Sequence, residues 1–184
     1  MKKLFEKYGY LFAIAGLIVA LDQWTKELVR DYITVGATWL PNGLEWLSPY
    51  ARIVNWFNTG AAFGMFQSGS MVFTVLAFIV IGAIIYYFPQ VDKKDWTLRL
   101  AMSMQLAGAI GNLIDRLIHN GKVTDFISVG TFPVFNVADS SISVGTVILL
   151  LGVYLQERAA QKEDRKSTRL NSSHIQKSRM PSSA

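Results

Sequence analysis

Four apolar stretches, at 8–28, 71–88, 98–118 and 142–155, leave this chain few ways to fold. The first is 21 residues long, enough for a helix to cross a hydrocarbon core of about 30 Å. The second carries no charge and is stopped by Pro89. Together they predict a membrane all-α chain. The expected fold is a four-transmembrane-helix bundle, with helices at about 8–29, 70–88, 98–118 and 139–156. Only 17% of residues are charged, where a soluble domain carries about a quarter, and the mean hydropathy is +0.28. Lys2, Lys3 and Lys7 ahead of the first stretch imitate a signal peptide. The apolar run instead passes into Asp22-Gln23-Trp24-Thr25-Lys26 without a small-x-small cleavage site, so it reads as a retained span.

The formal charge of +5 belongs to the tail. Residues 158–184 hold seven lysines and arginines against two acids, and the rest of the chain balances. The high pI is therefore no argument for a nucleic-acid partner. Lys2, Lys3, Lys7, Lys93, Lys94 and the tail fall on one side of the predicted bundle. By the positive-inside rule both termini and the 89–97 loop are cytoplasmic, and the 30–69 and 119–138 loops face outward. Residues 166–184 are Ser- and Arg-rich without periodicity; they read as disordered and as a non-native extension.

Ionisable groups inside apolar spans are expensive, so those present carry information. Asn112, Asp115 and Arg116 fall at i, i+3 and i+4 on one helical face, which Gln105 and Gly108 extend backwards and His119 forwards. Asp22, Thr25 and Lys26 form a second patch on the first helix, although a solvated helix end explains Lys26 nearly as well. The 30–69 connection is polar and aromatic, with a short strand expected at 52–57 and turns at Pro41-Asn42-Gly43 and Ser48-Pro49. Trp39, Trp46, Tyr50, Trp56, Phe63 and Phe66 suit a layer at the membrane interface. Asn58-Thr59-Gly60-Ala61-Ala62-Phe63-Gly64 gathers small residues around one amide, where backbone could approach a ligand. A second strand is expected at 123–129, and Asp139, Ser140 and Ser141 form the capping cluster of the last helix.

With no cysteine there is no thiol nucleophile, and His119, the one histidine outside the tail, lies at a helix end where a surface role is expected, so neither a histidine-rich metal site nor a histidine-based triad is expected. No metal and no cofactor are expected. Two carboxylates sharing a proton could still hydrolyse an amide: the ionised one deprotonates water while the protonated one polarises the carbonyl. Asp115, Asp125 and Asp139 are the candidates. Asp139 opens a helix, where negative charge is favoured, and Asp115 has Arg116 beside it as an ion-pair partner. A transporter or proton channel also places acids in a bundle, but no inverted repeat is visible and the acids cluster toward one face. A scaffold protein accounts for the spans and leaves the polar stripe unexplained.

Five blocks, Asp22-Gln23-x-Thr25-Lys26, Asn58-Thr59-Gly60-Ala61-Ala62-Phe63, Gly111-Asn112-x-x-Asp115-Arg116, Val123-Thr124-Asp125-Phe126 and Phe135-Asn136-Val137-Ala138-Asp139, resemble the motifs of the lipoprotein signal peptidases, signal peptidase II. The resemblance covers about residues 8–157. It implies a multi-pass aspartic protease of the bacterial inner membrane, with a small interfacial sheet on its periplasmic face. The implied activity is removal of signal peptides from prolipoproteins, before a cysteine that carries diacylglycerol. It assigns the catalytic pair to Asp125 and Asp139. Asn58, Asn112, Asp115, Arg116, Asn136, Asp22 and Lys26 become substrate-binding or orienting residues. Membrane lipids and cyclic peptide inhibitors of the globomycin type are the further implied partners.

Overall fold

The computed structural model describes residues 2–59 and 69–178. The 60–64 part of the small-residue turn, and with it Phe63 and Phe66, lies outside them. Four long helices are present: α1 (Lys2–Tyr32), α2 (Gly69–Tyr87), α3 (Trp96–Ile118) and α4 (Val137–Ser178). Three strands, β1 (Thr38–Trp39), β2 (Ala51–Asn58) and β3 (Val123–Val129), make one antiparallel sheet in the order β1-β2-β3. Two helical segments among the described residues, Gly69–Gln90 and Val137–Lys162, are long and apolar enough to cross a membrane by length and composition. Of the four expected spans, α2 and α4 thus have the length and composition to cross. The buried polar residues of α1 and α3 (Asp22, Lys26, Arg99, Asn112 and Asp115) dilute their apolar character.

Small residues let the helices meet. A side-chain carbon on Gly108 would collide with the Ala138 carbonyl and Ile142 of α4. One on Gly111 would lie 2.6 Å from Asp22 Oδ2 of α1. These two glycines, on one face of α3, let α1 and α4 approach it side by side. Leu11, Ala15, Ile84, Phe88, Leu106 and Ala107 form the apolar core between α1, α2 and α3. A second core of Val29, Ile33 and Phe126 seats the sheet on the end of α1. Leu17, Met71, Val72, Ile79, Val147 and Leu150 remain exposed, an apolar belt far wider than water-soluble surfaces tolerate.

Helix ends follow local chemistry. At the end of α1 the Asn55 amide donates to the Val29 carbonyl at 3.4 Å and to that of Ile33, just past the helix, at 2.7 Å. α3 ends through Asn120 (φ 52°) and Gly121 (φ 82°), with the Gly121 N–H donating to the Arg116 carbonyl at 2.8 Å. Two boundaries differ from expectation. α1 begins at Lys2 and runs to Tyr32, because nothing in its sequence stops a helix at 8 or at 29. α4 continues to Ser178, replacing the disorder expected from about 166. No glycine or proline occurs between Val153 and Met180, and Glu, Gln, Lys, Arg and Ala sustain the helix past the apolar segment.

Candidate active site

β3 carries the first carboxylate. Alternation along the strand turns Thr124 and Phe126 toward α1 and Asp125 to the opposite face, where Trp56 is its cross-strand partner. The register slips between Ile53 and Trp56, a bulge that sends Asn55 inward to cap α1 and keeps Asn58 on the face of Asp125. Asn58 Nδ2 donates to Asp125 Oδ2 at 2.9 Å. Both expected strands are present, β2 one residue longer at each end than predicted.

The second carboxylate sits in the first turn of α4. The cap residue is Asn136, a correction to the Asp139-Ser140-Ser141 cluster, because the helix starts two residues earlier than Asp139. Asn136 Oδ1 accepts the Asp139 N–H at 2.9 Å, and Asp139 Oδ2 accepts the Asn136 N–H at 3.2 Å. This reciprocal pair is a capping box. The Asn136 amide also donates to Asp125 Oδ1 at 2.7 Å and to Asn112 Oδ1 at 3.0 Å. Asn112 in turn donates to Asp139 Oδ1 at 2.8 Å. Asp125 on β3 and Asp139 on α4, fourteen positions apart in the chain, thus share Asn136 as a common partner.

Behind this pair lies a buried ionic cluster. Lys26 Nζ is 2.9 Å from Asp22 Oδ2, 3.5 Å from Asp115 Oδ2 and 3.1 Å from Asn112 Oδ1. Lys26, Asp22 and Asp115 are all 0% exposed, so the solvated helix end considered for Lys26 does not occur. Asp22 Oδ1 accepts the Ala138 N–H at 2.9 Å, pinning the start of α4 to α1. Asp115 accepts the Thr124 N–H at 2.8 Å and lies 3.8 Å from Arg30, so it holds β3 to α3. The expected Asp115–Arg116 pair is absent among the described residues. Neighbours at i and i+1 point in different directions on a helix, and the cations that reach Asp115 come from α1.

Arg116 faces the other way. Its guanidinium lies 5.6 Å from the Phe73 ring and donates to the Asn112 carbonyl at 3.4 Å. Its buried Nε makes no hydrogen bond among the described residues. A groove of about 330 Å³ between α2, α3 and α4 is lined by Phe73, Ala77, Gly108, Arg116, Asp139 and Ile142. It is apolar along most of its length and polar at the carboxylate end. Asp125 is 1% exposed, and burial, the largest influence on it, raises its pKa. The Asp139 charge adds to that, while donation from Asn58 and Asn136 and the Lys26 charge oppose it, leaving the Asp125 pKa at about 7.

Of the residues singled out from sequence, Asn112, Arg116 and Asp139 line the groove, Asn136, Asp125 and Asn58 join them through hydrogen bonds, and Asp22, Lys26 and Asp115 support the cluster from behind. Arg30, Gln23, Thr124 and Asn55 were not among them. Gln23 Nε2 bridges Asp22 and Asp115 at 3.1 and 3.2 Å, and Arg30 reaches Thr124 Oγ1 at 3.0 Å. Gln23 and Thr124 stand inside the motif blocks; the role of Asn55 depends on a bulge that no local pattern announces.

Residues 14–155 match the family model described as signal peptidase (SPase) II. The chain is 38% identical over 156 residues to the lipoprotein signal peptidase of Halalkalibacterium halodurans, covering 83% of this chain and 96% of that one. It is 40% identical over 139 residues to that of Thermodesulfovibrio yellowstonii, covering 73% and 87%. A solved bacterial membrane enzyme superposes with a TM-score of 0.71 at 29% identity, over 81% of this chain and 90% of that one. A mostly helical membrane chain with a three-stranded sheet, carrying these motifs in order, belongs to the signal peptidase II family of membrane proteases.

Proposed function

We propose that this chain is an aspartic endopeptidase that removes signal peptides from bacterial prolipoproteins, cutting before the diacylglyceryl-modified cysteine. The observation that carries the reading is the meeting of Asp125 and Asp139 on Asn136 at the polar end of an otherwise apolar groove. Asp125, with its pKa near 7, supplies the proton that polarises the scissile carbonyl. Asp139, held by Asn112 and the Asn136 N–H, takes a proton from water as the water oxygen bonds to carbon. When the C–N bond breaks, the amine leaves with the proton from Asp139, and the proton on the former carbonyl oxygen returns to Asp125. Arg116, with hydrogen-bonding capacity unused, and Asn58 orient the substrate backbone.

In this reading all four helices cross the bacterial inner membrane. Both termini are cytoplasmic, and the sheet lies on the periplasmic surface, its exposed Trp39, Trp46, Tyr50 and Trp56 among headgroups. The groove between α2, α3 and α4 opens to lipid, so a membrane-embedded signal peptide enters sideways. Cyclic peptides of the globomycin type would compete there. Purified protein should cleave a diacylglyceryl-modified prolipoprotein and leave the unmodified one intact. Equal cleavage of both would contradict the substrate assignment.

A further inference from the structure

Lys26 belongs to the buried cluster that supports the carboxylate pair, and touches neither carboxylate directly. An ammonium can only donate hydrogen bonds, so the Asn112 atom that faces Lys26 Nζ at 3.1 Å must be the carbonyl oxygen. That choice turns the Asn112 NH₂ toward Asp139, where it donates at 2.8 Å. The same Asn112 oxygen also accepts from Asn136 Nδ2 at 3.0 Å, so the Asn136 NH₂ must face Asn112 and Asp125. The Asn136 oxygen is then left to accept the Asp139 N–H. A side-chain amide is nearly symmetric in shape, and packing alone does not choose between its two flips. Here the flips are held from both ends, Asn136 by the Asp139 N–H and Asn112 by the buried ammonium.

We propose that Lys26 is a positioning residue for peptide hydrolysis, its ammonium holding the Asn112 carbonyl oxygen so that the Asn112 N–H faces Asp139. The proposal rests on the aspartic reading above. Asp22 and Asp115 hold the ammonium in place at 2.9 and 3.5 Å, and Asp22 has a separate duty at the Ala138 N–H. Without Lys26, the Asn112 oxygen keeps a single donor, Asn136 Nδ2, and the Asn112 N–H is held less firmly toward Asp139.

The ion pair and the donor can be separated. Lys26→Met alone leaves two buried carboxylates short of a cation and should lower thermal stability. Asp22→Asn/Lys26→Met removes one charge of each sign and keeps the Asp22 oxygen that caps α4, so it should unfold near the temperature of the unmodified chain. Turnover of a diacylglyceryl-modified prolipoprotein should still fall about 10- to 100-fold in the double variant, the usual cost of losing an outer-shell partner. The loss should lie in kcat, with KM changed by no more than about twofold. Asp22→Asn/Lys26→Gln, which restores an N–H donor without charge, should recover part of kcat. Wild-type kcat in the double Met variant would overturn the proposal, and so would its failure to fold, since Lys26 would then be a fold determinant alone. Asp139→Asn in the same assay separates the two ideas: if it is active the carboxylate pair is wrong, whatever Lys26 does.

Discussion

Asn136 and Asp139 close the first turn of α4 on each other: the Asp139 N–H donates to Asn136 Oδ1 at 2.9 Å, and the Asn136 N–H to Asp139 Oδ2 at 3.2 Å. The helix cap and the carboxylate geometry are therefore one structure, and substitution can divide them. Asn136→Ser keeps a capping oxygen and loses the amide that donates to Asp125 at 2.7 Å. It should unfold within about 0.5 kcal/mol of the unmodified chain, yet lose about 10²- to 10³-fold in kcat. Asn136→Ala should lose the same activity and a further ~1 kcal/mol of stability. A Ser variant with near-normal turnover would remove Asn136 from the mechanism.

Gly111 gives the sharpest packing test. A methyl group there would stand 2.6 Å from Asp22 Oδ2 and 3.2 Å from the Ala138 side chain. Gly111→Ala should cost about 1–3 kcal/mol by forcing α1 off α3. Gly16→Ala, on the same helix as Asp22 but with open space around it, should be neutral or slightly stabilising. Thermal unfolding in detergent compares the two, and equal effects would mean that the close approach of α1 and α3 is not real.

Asp115 should behave as a structural acid. Asp115→Asn leaves Lys26 with Asp22 and Arg30 with Glu27, so the cations keep partners. The expected loss is about 1–3 kcal/mol of stability, with measurable turnover remaining in folded protein. Complete inactivation without loss of stability would place Asp115 in the chemistry.

The Asp125 pKa of about 7 makes stability depend on pH. The native state binds a proton that the unfolded chain, near its ordinary 3.8, releases earlier. The contribution is fully present below about pH 4 and is lost as pH rises through about 7. Asn at this position cannot ionise, so Asp125→Asn should gain on the unmodified chain with rising pH, by at most about 4 kcal/mol at pH 8. Unfolding midpoints at pH 5 and pH 8 supply the comparison; a difference that does not grow with pH contradicts the burial of this carboxylate.

Much of this arrangement is written locally. The apolar stretches locate all four helices, and alternation in Val123-Thr124-Asp125-Phe126 places Asp125 opposite the face that packs on α1. The motif blocks gather Asn58, Asn112, Asn136, Asp125 and Asp139. What sequence did not reveal is which partner each charge takes. Asp115 stands next to Arg116 in the chain and pairs instead with Lys26 and Arg30, 89 and 85 positions away, because helix packing and not adjacency decides contact. For the same reason sequence left Lys26 between an inward patch and a solvated helix end: its burial comes with the close approach of α1 at Gly111. The helical continuation to Ser178 was missed because absence of apolar periodicity was equated with absence of helix, although the residues there favour helix and nothing breaks it.

Turnover by the two single carboxylate variants tests the central claim most directly. Asp125→Asn and Asp139→Asn keep side-chain shape, yet neither Asn can hold the shared proton or accept one from water. Purified and folded, each should bind diacylglyceryl-modified prolipoprotein and fail to cleave it, and the double variant should be scarcely worse than either single, as expected of residues that act as a unit. The unmodified chain should show a bell-shaped dependence of rate on pH, with two apparent pKa values that belong to the pair. Substantial cleavage by either well-folded single variant would contradict the account.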